Sequence, residues 1–95
     1  MAAPFQIIIT SSFSRLFKKL VDKHPTLVDA YESAVEALEV DPANGGRTQN
    51  IRKLNAVKPG DGQWRIRIGK YRIRYDIENQ LVILRSIKDR KDSYR

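Results

Sequence analysis

The sequence predicts an α+β domain of order β-α-α-β-β-β, in which an N-terminal helical hairpin packs on one face of a twisted antiparallel sheet. Three observations predict it. The chain has 95 residues, too few to divide into two stable cores, so residues 1–95 form a single domain. Apolar residues between Phe13 and Leu38 recur at helical spacing, whereas from Trp64 to Ile77 they recur at every second position. Clusters of turn formers at 41–46, 58–62 and 69–70 separate the stretches. A hydrophobic fraction of 41% beside 31% charged residues excludes a disordered, one-signed chain.

Phe5-Gln6-Ile7-Ile8-Ile9 is short and β-branched and reads as the first strand. Thr10-Ser11-Ser12 ends it and offers a helix N-cap. In the first helix Leu16, Phe17, Leu20 and Val21 share one face with Phe13, and charged side chains take the other. His24-Pro25 stops it, because proline disfavours helical geometry in the residue before it. Thr26 is the expected cap of the second helix, with Asp29 completing a short capping box. Leu27, Tyr31, Ala34, Val35 and Leu38 are its buried stripe, and the joint is short enough to fold the helices into an antiparallel hairpin.

Ile51 and Leu54 are apolar anchors in a basic connector. Trp64, Ile66 and Ile68 then alternate with Arg65 and Arg67, and Tyr71, Ile73, Tyr75 and Ile77 alternate with Arg72, Arg74 and Asp76. This is an amphipathic β-hairpin turning at Gly69-Lys70. Leu81-Val82-Ile83-Leu84 is apolar without a break, as in a strand covered on both faces. Lys88 to Arg95 reads as a polar tail.

Charge is divided unevenly. Residues 1–46 carry four basic and six acidic side chains, and residues 47–95 carry 14 basic and five acidic, for a total of +7. An asymmetric, strongly basic half points to a polyanionic partner. A two-residue turn at Gly69-Lys70 pairs Arg67 with Arg72 and Arg65 with Arg74, so four guanidiniums share the sheet face opposite the helices. Like charges directly opposed weaken a sheet, which a merely solvated face would avoid by mixing signs. Rigid guanidinium forks on strands instead make a phosphate cradle. Whether Arg85 joins that face depends on the preceding turn: a two-residue Glu78-Asn79 loop sets it across from Arg72, and a three-residue loop turns it away. Tyr94 lies among Lys88, Arg90, Lys91 and Arg95, where cations favour the phenolate. Trp64, Tyr71 and Tyr75 fall on the apolar side, and His24 reads as a helix-end residue.

No cysteine is present, which excludes disulfides, a thiolate nucleophile and Cys-ligated metals. Gly-rich phosphate loops, serine elbows and H-E-x-x-H motifs are absent, and the acids of the basic half are scattered rather than converging as two-metal catalysis requires. The expectation is therefore no metal and no cofactor. The apolar triplet Ile7-Ile8-Ile9 is far shorter than a signal or membrane segment, so the expected location is cytoplasmic, with no membrane partner.

The run from Trp64 to Ile77, with its G-x-Y-R-x-x-Y core at Gly69 to Tyr75, followed by Asp89-Arg90-Lys91-Asp92-Ser93-Tyr94-Arg95, resembles the RelE/ParE toxins of prokaryotic type II toxin–antitoxin modules. The similarity extends over nearly the whole chain, through Phe13 to Leu20, His24-Pro25, Leu38 to Pro42 and Ile51 to Leu54. The resemblance implies a RelE-type mRNA interferase that enters the ribosomal A site and cleaves mRNA by attack of the RNA's own 2′-hydroxyl. By the same resemblance Arg72, Lys88, Arg90 and Tyr94 are catalytic: Arg72 stabilises phosphate charge, Tyr94 is the base, and Lys88 or Arg90 supplies the tail cation. Arg65, Arg67, Arg74 and Lys70 are RNA-phosphate-binding. Asp89 departs from the family pattern, since many members carry His there. Implied partners are a RelB-like acidic antitoxin, mRNA and the ribosome, with operator DNA bound only by the toxin–antitoxin complex. A ParE-type toxin that binds DNA gyrase and cuts nothing is the alternative within the superfamily, and a non-toxic binding domain is a third.

Overall fold

A computed structural model describes residues 4–89. Along the chain come β1 (Gln6–Ile9), α1 (Ser11–Lys23), α2 (Leu27–Val40), β2 (Ile51–Lys53), β3 (Trp64–Ile68), β4 (Tyr71–Glu78) and β5 (Leu81–Asp89). The five strands form one sheet in the order β1-β5-β4-β3-β2. α1 lies against β5, and α2 against β3 and β1, so both helices cover one face. This is the α+β class expected.

Thr10 caps α1 as its sequence position implies: its Oγ1 accepts from Phe13 N–H at 3.1 Å. The same hydroxyl donates to Leu84 O at 2.8 Å, fixing the helix start to the middle of β5. α1 ends at His24, whose N–H returns to Leu20 O. Thr26 does not cap α2 with its side chain. Its backbone is already helical, at φ −68° and ψ −9°, and the N–H groups of Leu27, Val28 and Asp29 are taken by the carbonyls of His24, Pro25 and Thr26. The donors that a capping hydroxyl would serve are therefore already taken. Phe13, Phe17 and Tyr31 join the two helices, the closest ring pair lying 4.8 Å apart between Phe17 and Tyr31.

The core is Phe13, Leu27, Ala34, Leu38, Ile66, Tyr71, Ile73, Tyr75, Val82, Leu84 and Ile87. It draws on one face of β3 and β4 in strict alternation, as the period of two requires. Tyr75 is fully buried and donates its hydroxyl to Pro42 O at 2.7 Å, which locks the end of α2 to the sheet. Burial and the nearby Asp41 push its phenol pKa up, so it is no acid–base group at neutral pH.

Apart from the missing Thr26 cap, the strand layout differs from the sequence expectation in three places. The connector anchored by Ile51 contains a strand, β2, paired antiparallel to β3 through Ile51–Ile66, Arg52–Arg65 and Lys53–Trp64. Three residues with one apolar side chain carry no legible period, and the strand exists because β3 offers it an edge. The sheet is antiparallel except at β1, which runs parallel to β5. The meander β2-β3-β4-β5 brings β5 beside the first strand in the same direction. Val82 and Leu84 are buried in the core, whereas Leu81 and Ile83, on the face the helices leave open, are only half-buried, so this strand is not covered on both faces as its unbroken apolar run implied. Finally, β5 continues through Lys88 and Asp89, where a polar tail was expected. Ile87 is buried and its neighbours are polar, an alternation too brief to read from sequence.

Candidate functional site

The β3–β4 hairpin turns at Gly69-Lys70 with Gly69 at φ +57°, and its register pairs Ile68 with Tyr71, Arg67 with Arg72 and Arg65 with Arg74. Extending the pairing outward gives two rows of cations across the face opposite the helices. One row is Arg52, Arg65 and Arg74 on β2, β3 and β4; the other is Arg67, Arg72 and Lys88 on β3, β4 and β5. Neighbours in a row are one strand apart, about 4.8 Å, and the rows are two residues apart along a strand, about 6.7 Å.

Arg52, Arg67 and Lys88 are exposed, and Arg65, Arg72 and Arg74 are half-buried. Burial among Arg72, Arg52, Arg67 and Arg74 lowers the Arg65 pKa from the ordinary arginine value. Four directly opposed like-charge pairs cost the sheet on the order of 1–3 kcal/mol, a large share of the roughly 5–15 kcal/mol that holds a domain together. An anion lying across the rows removes that cost. Arg52 is the member that sequence reasoning missed, because its place depends on the unforeseen strand β2.

Arg74 stands apart from its row. Its Nε and Nη2 both donate to Gly62 O, at 3.1 and 3.0 Å. Gly62 is required there: its φ is +81°, and a Cβ would stand 2.9 Å from Arg74 Cβ. The loop that carries Gly62 is held by Asp76, buried on the same sheet face. Asp76 Oδ2 accepts from Gly60 N–H, Gly62 N–H and Arg85 Nε at 3.0, 3.1 and 2.8 Å, and Oδ1 from Gln63 N–H at 2.9 Å. Burial alone would raise the Asp76 pKa, but the donors from Gln63, Arg85 and Gly62 outweigh it and hold the carboxyl below its ordinary value. Arg85 sits on the arginine face by another route than either loop considered. The turn is Asn79-Gln80, with Glu78 paired to Leu81, and a bulge sets Tyr75 opposite Leu84 but Arg74 opposite Ser86. Arg85 is the extra residue of the bulge, aimed at Asp76.

Lys70 is turned away from the rows. Its Nζ lies 5.5 Å from the centre of the Tyr71 ring, 3.3 Å from His24 Nδ1 and 3.9 Å from Asp89 Oδ2. His24 Nε2 is 3.5 Å from the same Asp89 oxygen. Asp89 pairs with Tyr71, whose side chain belongs to the core, so this cluster occupies the helical side of the sheet. Of the sequence-predicted site residues, Arg65, Arg67, Arg72 and Lys88 come together, Arg74 is drawn to the loop, and Lys70 is on the other side. Arg90 and Tyr94 lie outside the described residues. Among the described residues no group of three or more His, Asp or Glu side chains converges as a metal site, and no helix is long and apolar enough to cross a membrane.

Chemically, the rows offer positively charged donors from four adjacent strands to an extended, negatively charged backbone. The row Arg67, Arg72 and Lys88 sets three positive charges side by side on β3, β4 and β5 along one sheet face.

Comparison with known proteins gives a consistent result. Residues 7–94 match the model of the ParE toxin of type II toxin–antitoxin system, parDE. A provisionally named toxin RelE1 of Methanocaldococcus jannaschii is 29% identical over 83 residues, which is 85% of this chain and 88% of that protein. The fold is similar to the archaeal RelE–RelB complex from Pyrococcus horikoshii OT3, with a TM-score of 0.66 at 20% identity over 92% of this chain and 96% of that one. It is also similar to the RelB–RelE antitoxin–toxin complex from Methanococcus jannaschii, with a TM-score of 0.55 at 21% identity over 92% and 94% of the two chains.

Proposed function

The chain belongs to the ParE toxin family of type II toxin–antitoxin systems, within the RelE/ParE superfamily, and from that premise we propose that it is a ribosome-dependent mRNA endonuclease. The observation that carries the proposal is the row Arg67, Arg72 and Lys88, three cations on three adjacent strands of one sheet face. In the reaction the 2′-oxygen of the RNA forms a bond to the adjacent phosphorus while the bond from phosphorus to the 5′-oxygen breaks. A 2′,3′-cyclic phosphate and a free 5′-hydroxyl result. One proton leaves the 2′-hydroxyl and one reaches the departing oxygen, so the step needs a base, an acid and cations where charge builds on phosphate. Arg72 and Lys88, register partners, stabilise that charge, and Arg67 and Arg65 hold the flanking backbone. Tyr94 is the base, and Arg90 or Lys88 serves the leaving oxygen, as the resemblance implies. Because Arg74 is bound to Gly62 O, its part is to shape the site rather than to clamp phosphate.

The natural inhibitor is an acidic, RelB-like antitoxin that neutralises the cationic face, in keeping with the antitoxin-bound state of the two similar structures. Operator DNA is a partner only of the toxin–antitoxin pair. Cytoplasmic ribosomes, entered at the A site, are where the chain acts.

The match to the ParE model favours a second reading, inhibition of DNA gyrase without RNA cleavage. Adding purified toxin in parallel to a translation extract and to a gyrase supercoiling reaction separates the two. The nuclease reading expects mRNA cut at mapped codon positions and unaffected supercoiling; intact mRNA with blocked supercoiling removes it.

A further inference from the structure

We propose that Arg52 forms a further phosphate subsite on the edge strand β2, holding an mRNA phosphodiester that flanks the scissile one. The inference rests on the nuclease reading and extends it to a residue outside the catalytic row. Arg52 is the register partner of Arg65, so the two side chains leave the same sheet face, and Arg52 is exposed at the outermost strand. Arg74, the third member of that row, has Nε and Nη2 committed to Gly62 O. The remaining cations of the two rows run obliquely from Lys88, Arg72 and Arg67 over Arg65 to Arg52. This track crosses four strands, on the order of 14 Å, which is longer than one phosphodiester.

Edge strands often carry charge merely to prevent pairing with other chains. That role does not require Arg52. Lys53, the next residue, already charges the edge, with its Nζ 5.7 Å from the centre of the Trp64 ring on the helical face. An acid at position 52 would blunt the edge equally well while relieving repulsion with Arg65. A guanidinium that adds to an already repulsive face is explained by an anion that crosses it.

The test uses a short single-stranded RNA with 2′-O-methyl riboses, which cannot be cut, titrated with wild type, Arg52→Gln, Arg52→Lys and Arg72→Ala over a range of salt. Each phosphate contact to a single strand contributes about 0.7 to the slope of log affinity against log salt. Arg52→Gln is expected to weaken binding about threefold to tenfold and to lower the slope by about 0.7, with Arg52→Lys restoring the slope. On programmed ribosomes the loss in kcat/KM of Arg52→Gln should be carried by KM, and that of Arg72→Ala by kcat. If Arg52→Gln binds RNA with wild-type affinity and slope while Arg72→Ala loses cleavage, the subsite is wrong and the nuclease reading stands. If Arg72→Ala also cleaves and binds like wild type, the nuclease reading is what fails. An Arg52→Gln defect seen with ribosomes but absent with free RNA would assign the contact to ribosomal RNA and overturn the proposal of a message-strand subsite.

Discussion

Replacing Asp76 with asparagine keeps the side-chain shape and removes its charge, and the bonding around it sets the cost. Three donors, Gly60 N–H, Gly62 N–H and Arg85 Nε, converge on Oδ2, and Gln63 N–H reaches Oδ1. An amide has one acceptor oxygen. Placed at the Oδ2 position, it keeps three weakened bonds and sets its own NH2 against Gln63 N–H; flipped, it abandons three donors. The first arrangement is the cheaper. It orphans one part-buried donor, at about 1–3 kcal/mol, and weakens the remaining charge-assisted bonds by roughly half. Arg85 is partly exposed, so its share is screened. The sum is about 2–4 kcal/mol, read as a lower urea midpoint with unchanged slope and a melting temperature lower by roughly 10 °C or more. The pH dependence has a defined sign. The folded pKa of Asp76 lies below its ordinary value, so its contribution is complete above about pH 4 and is lost as pH falls through the folded pKa. Asp76→Asn should therefore flatten the acid limb of the stability curve. A destabilisation under about 0.5 kcal/mol, or an acid limb like that of wild type, would refute the view of Asp76 as the anchor of the loop.

Ile73→Ala should cost about 2–5 kcal/mol in urea unfolding, since Ile73 is 2% exposed between the helices and the sheet; a wild-type midpoint would mean that the hairpin faces are inverted. Tyr75→Phe leaves Pro42 O without its donor and should lose about 1 kcal/mol by thermal melting. No change in melting would show that the bond is not formed in solution. Arg72→Ala should leave the domain folded, because its side chain leaves the sheet on the face opposite the core. Its effect belongs in toxicity, and growth arrest equal to wild type on expression would remove Arg72 from the site.

The hairpin register was legible because two strong signals coincide in it, a period of two over Trp64 to Ile77 and a glycine at the turn. From that register alone the pairing of Arg65 with Arg74 and of Arg67 with Arg72 follows, and the structure contains both. What escaped was set by partners distant in sequence. β2 forms only against β3, so Arg52 looked like one more connector cation. The bulge that aims Arg85 at Asp76 inserts a residue after an apolar run that shows no alternation. Asp76 looked like one more polar residue of the alternating strand, yet it gathers donors from a loop 13 to 16 residues away. Lys70 is a turn residue whose direction depends on His24 and Asp89, which no local pattern brings together. The resemblance located Lys88 in a tail, but its value to the site comes from strand pairing with Arg72.

The central claim is that a row of cations across β3, β4 and β5 stabilises phosphate in RNA cleavage by the neighbouring 2′-hydroxyl. End-group analysis of mRNA recovered from programmed ribosomes tests it most directly. Wild type should yield fragments ending in 2′,3′-cyclic phosphate beside fragments starting with 5′-hydroxyl, and folded Arg72→Ala should yield neither. Fragments with 5′-phosphate ends, or the same products from Arg72→Ala at the wild-type rate, would contradict the account.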